Sequence, residues 1–290
     1  MQLIDGKKMS AEMRVALAAR VKELAVEGFV PGLATILVGE DPASEVYVAN
    51  KIKACEALGI KSFHYKLPAT ATKNEITSLI IKLNTDYAVN GILLQLPLPK
   101  GLDADKILED ILPEKDVDGL HPYNIGMLSS AKTWSGLLQK KVLMSCTPYG
   151  SILLLQKYGV EISGKNAVVV GRSNLAGKPV AMMLLANNAT VTIAHSKTKN
   201  LAEVCRAADI LIAAIGIPKM IKKDFIKPGA AVIDIGINRT ADGLCGDVDF
   251  EGAKDVAGFI TPVPGGVGAM TITMLMKNTI TACEKQNNIK

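Results

Sequence analysis

The stretch ASEVYVANKIKACEALGI, residues 43–60, spaces Ser44, Tyr47 and Lys51 by three and then four residues. On an α-helix this puts all three on one face. A tyrosine and a lysine side by side can stack on a flat ring and move a proton. Lysine does acid–base work near neutral pH only where burial or nearby cations lower its pKa from about 10.4. The same spacing also fits an exposed helix with an ordinary solvated lysine. Two more polar groups stand further along. Gln95 lies in LLQLPLP, an apolar setting in which an amide needs a partner. Asp116 and Asp118 lie in KDVDGLHP, ahead of Pro122. The Asp118 carboxylate suits the amidine-like N–H groups of a heterocycle, and it equally suits capping its own turn. His121 reads as structural.

A second constellation is GRSNLAGKP, residues 171–179, between NAVVV and VAMMLLANN. A buried strand, a glycine-opened turn and a helix are the parts that hold a dinucleotide pyrophosphate. Free backbone N–H groups and the positive end of the helix dipole meet the anion there. Gly171 ends the strand and Gly177 lies in the helix start, but Ser173 replaces the second glycine of the G-x-G-x-x-G fingerprint. Ser173 keeps a small side chain and adds a hydroxyl, and Arg172 adds a charge. An ordinary strand-to-helix turn reads the same way. The next strand, VTIAH, runs into SKTKN. An NAD site usually places a carboxylate there for the ribose 2′-OH. Here stand His195, Ser196, Lys197 and Lys199 instead, a set that would hold a 2′-phosphate or form a plain solvated loop. The reading leans to NADP.

GFITPVPGGVGAMT, residues 258–271, is the third. Prolines stiffen the approach, and Gly265, Gly266 and Gly268 permit positive φ and close backbone contact. Such a turn before a helix serves a ligand, or links domains tightly.

These groups need a frame, and the hydrophobic rhythm supplies it. Residues 9–27 read as an amphipathic helix ended by Gly28. LATILVG is a buried strand, 43–58 a helix, KSFHYKL a strand. TKNE is a capping box opening a helix at Thr72, and 91–99 is a strand cut off by Pro97 and Pro99. This β-α-β-α-β order implies parallel strands with crossover helices. After a helix with Thr147 as N-cap and Pro148 at N1, four more runs (NAVVV, TVTIAH, DILIAAIG, AAVIDIG) imply a second parallel sheet. The polar segment between them marks a domain boundary, and AMTITMLMKNTITACEKQ reads as one terminal helix.

The totals exclude several classes. At 290 residues and 49% hydrophobic, the chain can bury about two domains' worth of core. A net charge of +5 without a basic tail, and 4% aromatic residues, suit anionic small molecules better than nucleic acid. Cys55, Cys146, Cys205, Cys245 and Cys283 form no C-x-x-C pair. They read as reduced core thiols, with neither a disulfide framework nor a metal site. There is no signal-peptide core and no apolar run of about 18 residues. The expectation is a soluble cytoplasmic protein without membrane contact.

The segments SEVYVANKIKACEALGI, GILLQLPLP, KDVDGLHPYNIGML, CTPYG, GRSNLAGKP, DIGINR, GDVDF and TPVPGGVGAMT occur in one order. That order resembles the bifunctional methylenetetrahydrofolate dehydrogenase/cyclohydrolase family, called FolD in bacteria, from about residue 3 to 285. The resemblance implies an α/β protein of two domains with a cleft between them. Residues 1–146 would form a folate-binding catalytic domain, completed by a returning helix at 268–290. Residues 147–267 would form a Rossmann-like NADP-binding domain. It implies a homodimer and an NADP cofactor. Tyr47 would stack on the folate ring and Lys51 would be the general acid/base. Gln95 would bond to Lys51 and help hold its working protonation state, and Asp118 would anchor the pterin. Pro264, Gly265 and Gly266 would line the folate and nicotinamide site. Gly171, Arg172, Ser173, Ser196 and Ile237 would contact NADP. The chain departs from the common family pattern at Ser145, at Ala269, and in a longer stretch from Leu128 to Cys146 that carries Trp134.

Overall fold

Strand Gly32–Val38 is buried at every position, as a parallel strand covered on both faces must be. The computed structural model of the chain describes residues 1–289, and this strand is the centre of a three-stranded parallel sheet. Lys61–Leu67 pairs along one side, from Gly32↔Lys61 to Val38↔Leu67, and Gly91–Leu94 along the other, from Leu33↔Gly91 to Ile36↔Leu94. Helices Pro42–Leu58 and Lys73–Thr85 make the two crossovers. Asp41 caps the first by accepting from Ser44 N at 2.8 Å, Pro42 opens it, and Gly59 ends it at φ 80°. Thr72 and Glu75 form the capping box of the second. Ile36, Ile76, Ile80, Leu83 and Ile92 fill the core on one face. The strand expected at 91–99 is shorter. It stops at Leu94, because Pro97 and Pro99 have no N–H for a ladder, although Gln95 N still donates to Ile36 O at 2.9 Å.

The second sheet has six parallel strands, not four. Its order is Gln2–Leu3, Phe259–Ile260, Ala231–Asp234, Ile210–Ala213, Asn166–Val170 and Thr190–Ala194. The two extra strands have two residues each, too short to carry a period of two in sequence. A hairpin, Asn238–Thr240 with Gly243–Cys245, is also additional. Helix Cys146–Lys157 starts a residue before the expected cap. Ser145 precedes it, and the Thr147 hydroxyl instead shares a 2.9 Å hydrogen bond with that of Thr271.

The chain divides into two compact units. One comprises Glu12–Gly126, Lys141–Met144 and the last helix from Leu275 onward. The other comprises Met1–Ala11, Met127–Lys140 and Ser145–Met274. The first eleven residues therefore group with the six-stranded sheet, where Ile4 N donates to Ile260 O at 2.8 Å. The terminal helix, Val267–Gln286, joins the three-stranded unit only in its second half. There Asn278 Nδ2 donates to Val117 O and Met144 O, each at 2.8 Å.

None of the five cysteines is in a disulfide. Four are buried and Cys245 is half-buried, and burial pushes the Cys55 thiol up to about 12. Among the described residues no helix is long and apolar enough to cross a membrane. Nor does any group of His, Cys, Asp or Glu there form a metal cage.

Candidate active site

Helix side chains lean toward the helix N-terminus. The Pro42–Leu58 helix follows the central strand, so its N-terminal end lies toward the carboxyl ends of the parallel strands. Lys51 can thus send its long side chain back toward the strand ends, where Gln95 waits one residue past Leu94. Lys51 Nζ donates to Gln95 Oε1 at 2.7 Å. Gln95 is 8% exposed, and its own Nε2 donates to Leu96 O at 2.6 Å. The amide is therefore fixed with its oxygen toward the lysine. Tyr47, on the same helix, is 43% exposed.

Asp118 belongs to a loop laid along the strand Gly91–Leu94. An isolated parallel bridge joins Ile92 to Asp116, and Ile92 N donates to Lys115 O at 2.7 Å. Gly91 is required here, because a Cβ on it would run into the Val117 side chain. The loop is then pinned by buried groups with no signature in the local sequence pattern. Asp116, 1% exposed, accepts from His121 N at 2.8 Å and Asn124 Nδ2 at 2.9 Å, and burial pushes its carboxyl above the usual range. Lys115 Nζ donates to Leu83 O and Asp86 O at 3.0 and 2.8 Å, and desolvation lowers its pKa. Asn278 holds the Val117 carbonyl from the terminal helix. Half-buried Asp118 is thus presented by a loop whose neighbours are locked. Asn124 and Asn278 gave no signal in sequence, since a lone asparagine in a helical run is unremarkable. Lys51, Tyr47, Gln95 and Asp118 all fall in the three-stranded unit.

The second set lies at the carboxyl edge of the six-stranded sheet. Gly171 has φ 129°, and a Cβ there would meet the Ala214 carbonyl; a Cβ on Gly177 would meet the Gly171 carbonyl. Backbone approach this close leaves a cradle that only glycine permits, as a pyrophosphate turn needs. Ser173 Oγ accepts from Ala176 N at 3.2 Å and Gly177 N at 3.4 Å. It therefore organises the turn as an acceptor and keeps its hydroxyl proton to donate. Strand Thr190–Ala194 is the direct neighbour, with Val170↔Ala194 in register and Gly171 N donating to Ala194 O at 2.9 Å. Arg172 and Ser196 therefore follow adjacent strand ends, and both are exposed. His195 and Thr198 tie the loop around Ser196. His195 N donates to Thr198 Oγ1 at 2.9 Å, and Lys197 N to His195 Nδ1 at 3.2 Å. No carboxylate stands in residues 195–200. The residues present fit a dinucleotide with a 2′-phosphate.

The turn before the terminal helix is tight. Gly265 has φ 109°, and a Cβ on Gly266 would crowd the Pro262 carbonyl and Thr261 Cβ. Lys7 N donates to Gly265 O at 3.0 Å. Pro264 lies in the same turn, and the half-exposed Ile237 side chain lies over Gly268, where an added Cβ would be 3.2 Å from Ile237 Cδ1.

Two family models match the chain. Residues 4–118 match the tetrahydrofolate dehydrogenase/cyclohydrolase catalytic domain, and residues 145–287 the NAD(P)-binding domain of the same family. The bifunctional protein FolD 2 of Geobacter sulfurreducens is 55% identical over 97% of this chain and 96% of its own length. The crystal structure of the bifunctional enzyme FolD, methylenetetrahydrofolate dehydrogenase/cyclohydrolase, from Campylobacter jejuni superposes with TM-score 0.94. It shows 46% identity and covers 99% of both chains. That of the Trypanosoma brucei methylenetetrahydrofolate dehydrogenase-cyclohydrolase, complexed with NADP cofactor and inhibitor, superposes with TM-score 0.91. It shows 39% identity over 98% of each chain. With both family domains matched in order and the lysine–glutamine pair and glycine cradle in place, the chain belongs to the tetrahydrofolate dehydrogenase/cyclohydrolase family.

Proposed function

We propose that the chain carries out two consecutive folate reactions. In the first, 5,10-methylenetetrahydrofolate is oxidised to 5,10-methenyltetrahydrofolate with NADP⁺. In the second, the methenyl compound is hydrolysed to 10-formyltetrahydrofolate. The observation that carries this reading is the 2.7 Å hydrogen bond from Lys51 to a buried, internally locked Gln95. A dehydrogenase alone has little use for a lysine held at a fixed point, because hydride transfer mainly needs two rings held face to face.

NADP⁺ when bound supplies the hydride acceptor. The chain's own residues do the rest. Tyr47 stacks on the folate ring system, and Asp118 accepts hydrogen bonds from the pterin N–H groups. In the hydrolysis, water adds to the bridging carbon of the methenyl cation, and the C–N bond to one ring nitrogen breaks. Lys51 takes the proton from the attacking water and delivers one to the departing nitrogen. Overall one water is consumed and one proton released. Gln95 Oε1 holds the amine in place and in its working protonation state. Gly171 and Ser173 cradle the pyrophosphate; Arg172 and Ser196 face the 2′-phosphate. Pro264, Gly265, Gly266 and Ile237 are assigned to ligand contact on the rigidity of their turn and the exposure of the Ile237 side chain. A cytoplasmic homodimer is the form supported by the family resemblance, and sedimentation equilibrium tests it.

The deciding assay mixes methylenetetrahydrofolate with NADP⁺ and follows NADPH formation together with methenyl absorbance. Both should change, with methenyl absorbance rising and then decaying. NADPH with a persistent methenyl band would mean a dehydrogenase only, and no NADPH would remove the reading altogether.

A further inference from the structure

Asp247 is fully buried, yet the reaction as derived gives it no part. Its carboxylate joins two loops at the carboxyl edge of the six-stranded sheet. Oδ2 accepts from Ile215 N at 2.6 Å and Gly216 N at 3.0 Å, in the loop after strand Ile210–Ala213. Oδ1 accepts from Asn238 Nδ2 at 2.9 Å, just past the loop after strand Ala231–Asp234. Its own N–H donates to Asp234 Oδ1 at 3.0 Å, and Asp234 also accepts from Gly236 N at 2.9 Å and Val248 N at 2.8 Å. The backbone makes room for both carboxylates. A Cβ on Gly236 would strike the Asp247 carboxylate, and one on Gly246 would strike Asp234.

Strand order says what these loops carry. The pyrophosphate turn follows Asn166–Val170, and the 2′-phosphate side follows its neighbour Thr190–Ala194. A dinucleotide lies across the strand ends, so its other half extends over Ile210–Ala213 and Ala231–Asp234, the strands on the opposite side. Those are the strands whose loops Asp247 ties together. We propose that Asp247 is a positioning residue for the nicotinamide half of the cofactor, setting the Ile215–Gly216 and Gly236–Asn238 backbone without touching the ligand. The inference rests on the cofactor reading above.

The test is D247N, which keeps the shape but cannot accept from all three donors at once. Charge-assisted bonds lost from a buried acceptor should weaken NADP⁺ binding about 10- to 100-fold, read as NADP⁺ and NADPH affinity by titration. Binding of 2′,5′-ADP, which probes only the adenosine half, should stay as in the wild type. KM for NADP⁺ should rise while hydrolysis of methenyltetrahydrofolate, which uses no hydride acceptor, keeps its kcat. Unchanged NADP⁺ affinity in folded D247N overturns the proposal. So does equal loss of NADP⁺ and 2′,5′-ADP, which would mark a general structural role. If D247N does not fold, Asn238→Ala carries the test. It removes one donor from a half-buried residue and should weaken NADP⁺ roughly 3- to 10-fold with 2′,5′-ADP unaffected; no change there overturns the proposal as well. Failure of the wild type to bind either NADP⁺ or 2′,5′-ADP would instead remove the cofactor reading itself.

Discussion

On the proposed mechanism, Lys51 is the residue on which the two reactions part. If it moves protons, Lys51→Met should slow methenyl hydrolysis by about 10²–10⁴-fold, and hydride transfer by much less, in single-turnover kinetics of each step. Lys51→Arg should not restore hydrolysis, because a guanidinium keeps its proton near neutral pH. Near-normal hydrolysis by the methionine variant would make Lys51 an ordinary helix residue. Arg172 separates the cofactors in the same way. Arg172→Ala should weaken NADP⁺ far more than NAD⁺ in titrations, since only the former has a 2′-phosphate to lose, and equal losses would refute that assignment. At this scale much was legible. The shared helix face of Tyr47 and Lys51 is legible from spacing, and Gln95 stands out as an amide set in an apolar run, while their roles came from the family resemblance. That the Gln95 oxygen, and not its nitrogen, faces the lysine depends on the Leu96 carbonyl, which no sequence pattern encodes.

Elements hold these residues in place through caps and close approaches. Asp41 supplies the first free N–H groups of the Pro42–Leu58 helix with an acceptor. Asp41→Ala should therefore cost about 0.5–2 kcal/mol in urea unfolding, with kcat for hydrolysis little changed. Gly177 plays a different part. Its missing Cβ lets the helix start approach the Gly171 carbonyl. Gly177→Ala must displace that turn, and local strain of about 1–3 kcal/mol should weaken NADP⁺ about tenfold or more. Methenyl hydrolysis, which the proposal assigns to Lys51 in the other unit, should be spared; a parallel loss of both would show that the glycine serves general folding. The Thr72–Glu75 capping box was readable in the sequence because capping is local. The strand ends at Leu94 and not at 99, because the prolines forbid pairing beyond it but do not say how far ahead the chain leaves the sheet.

Across the molecule, burial of charge makes stability depend on pH. Burial raises the Asp234 carboxyl to about 7 despite three backbone donors. Its unfolded value lies near 3.9, so between the two the folded chain binds more protons than the unfolded one. Stability from this group is complete below about pH 4 and is lost as pH rises through about 7. The Tm of the wild type relative to D234N should therefore fall from pH 4 to 7 and level off above it. A difference that instead grows with pH would mean Asp234 is held ionised by its amide donors.

The sequence by itself determined the two α/β sheets, the helix face of Tyr47 and Lys51, the glycine turn at Gly171 and the carboxylate-free loop at Ser196. Each of these is a local pattern, read within one turn, one strand or one cap. Tertiary structure alone decided that Met1–Ala11 groups with the six-stranded sheet. It also decided that Asn278 anchors the Val117 carbonyl beside Asp118, and that Asp247 ties the Ile215–Gly216 loop, 31 to 32 residues upstream, to Asn238, 9 residues upstream. Those choices rest on backbone groups that must find partners once buried. Which partner is in reach is a property of the folded chain, not of the segment.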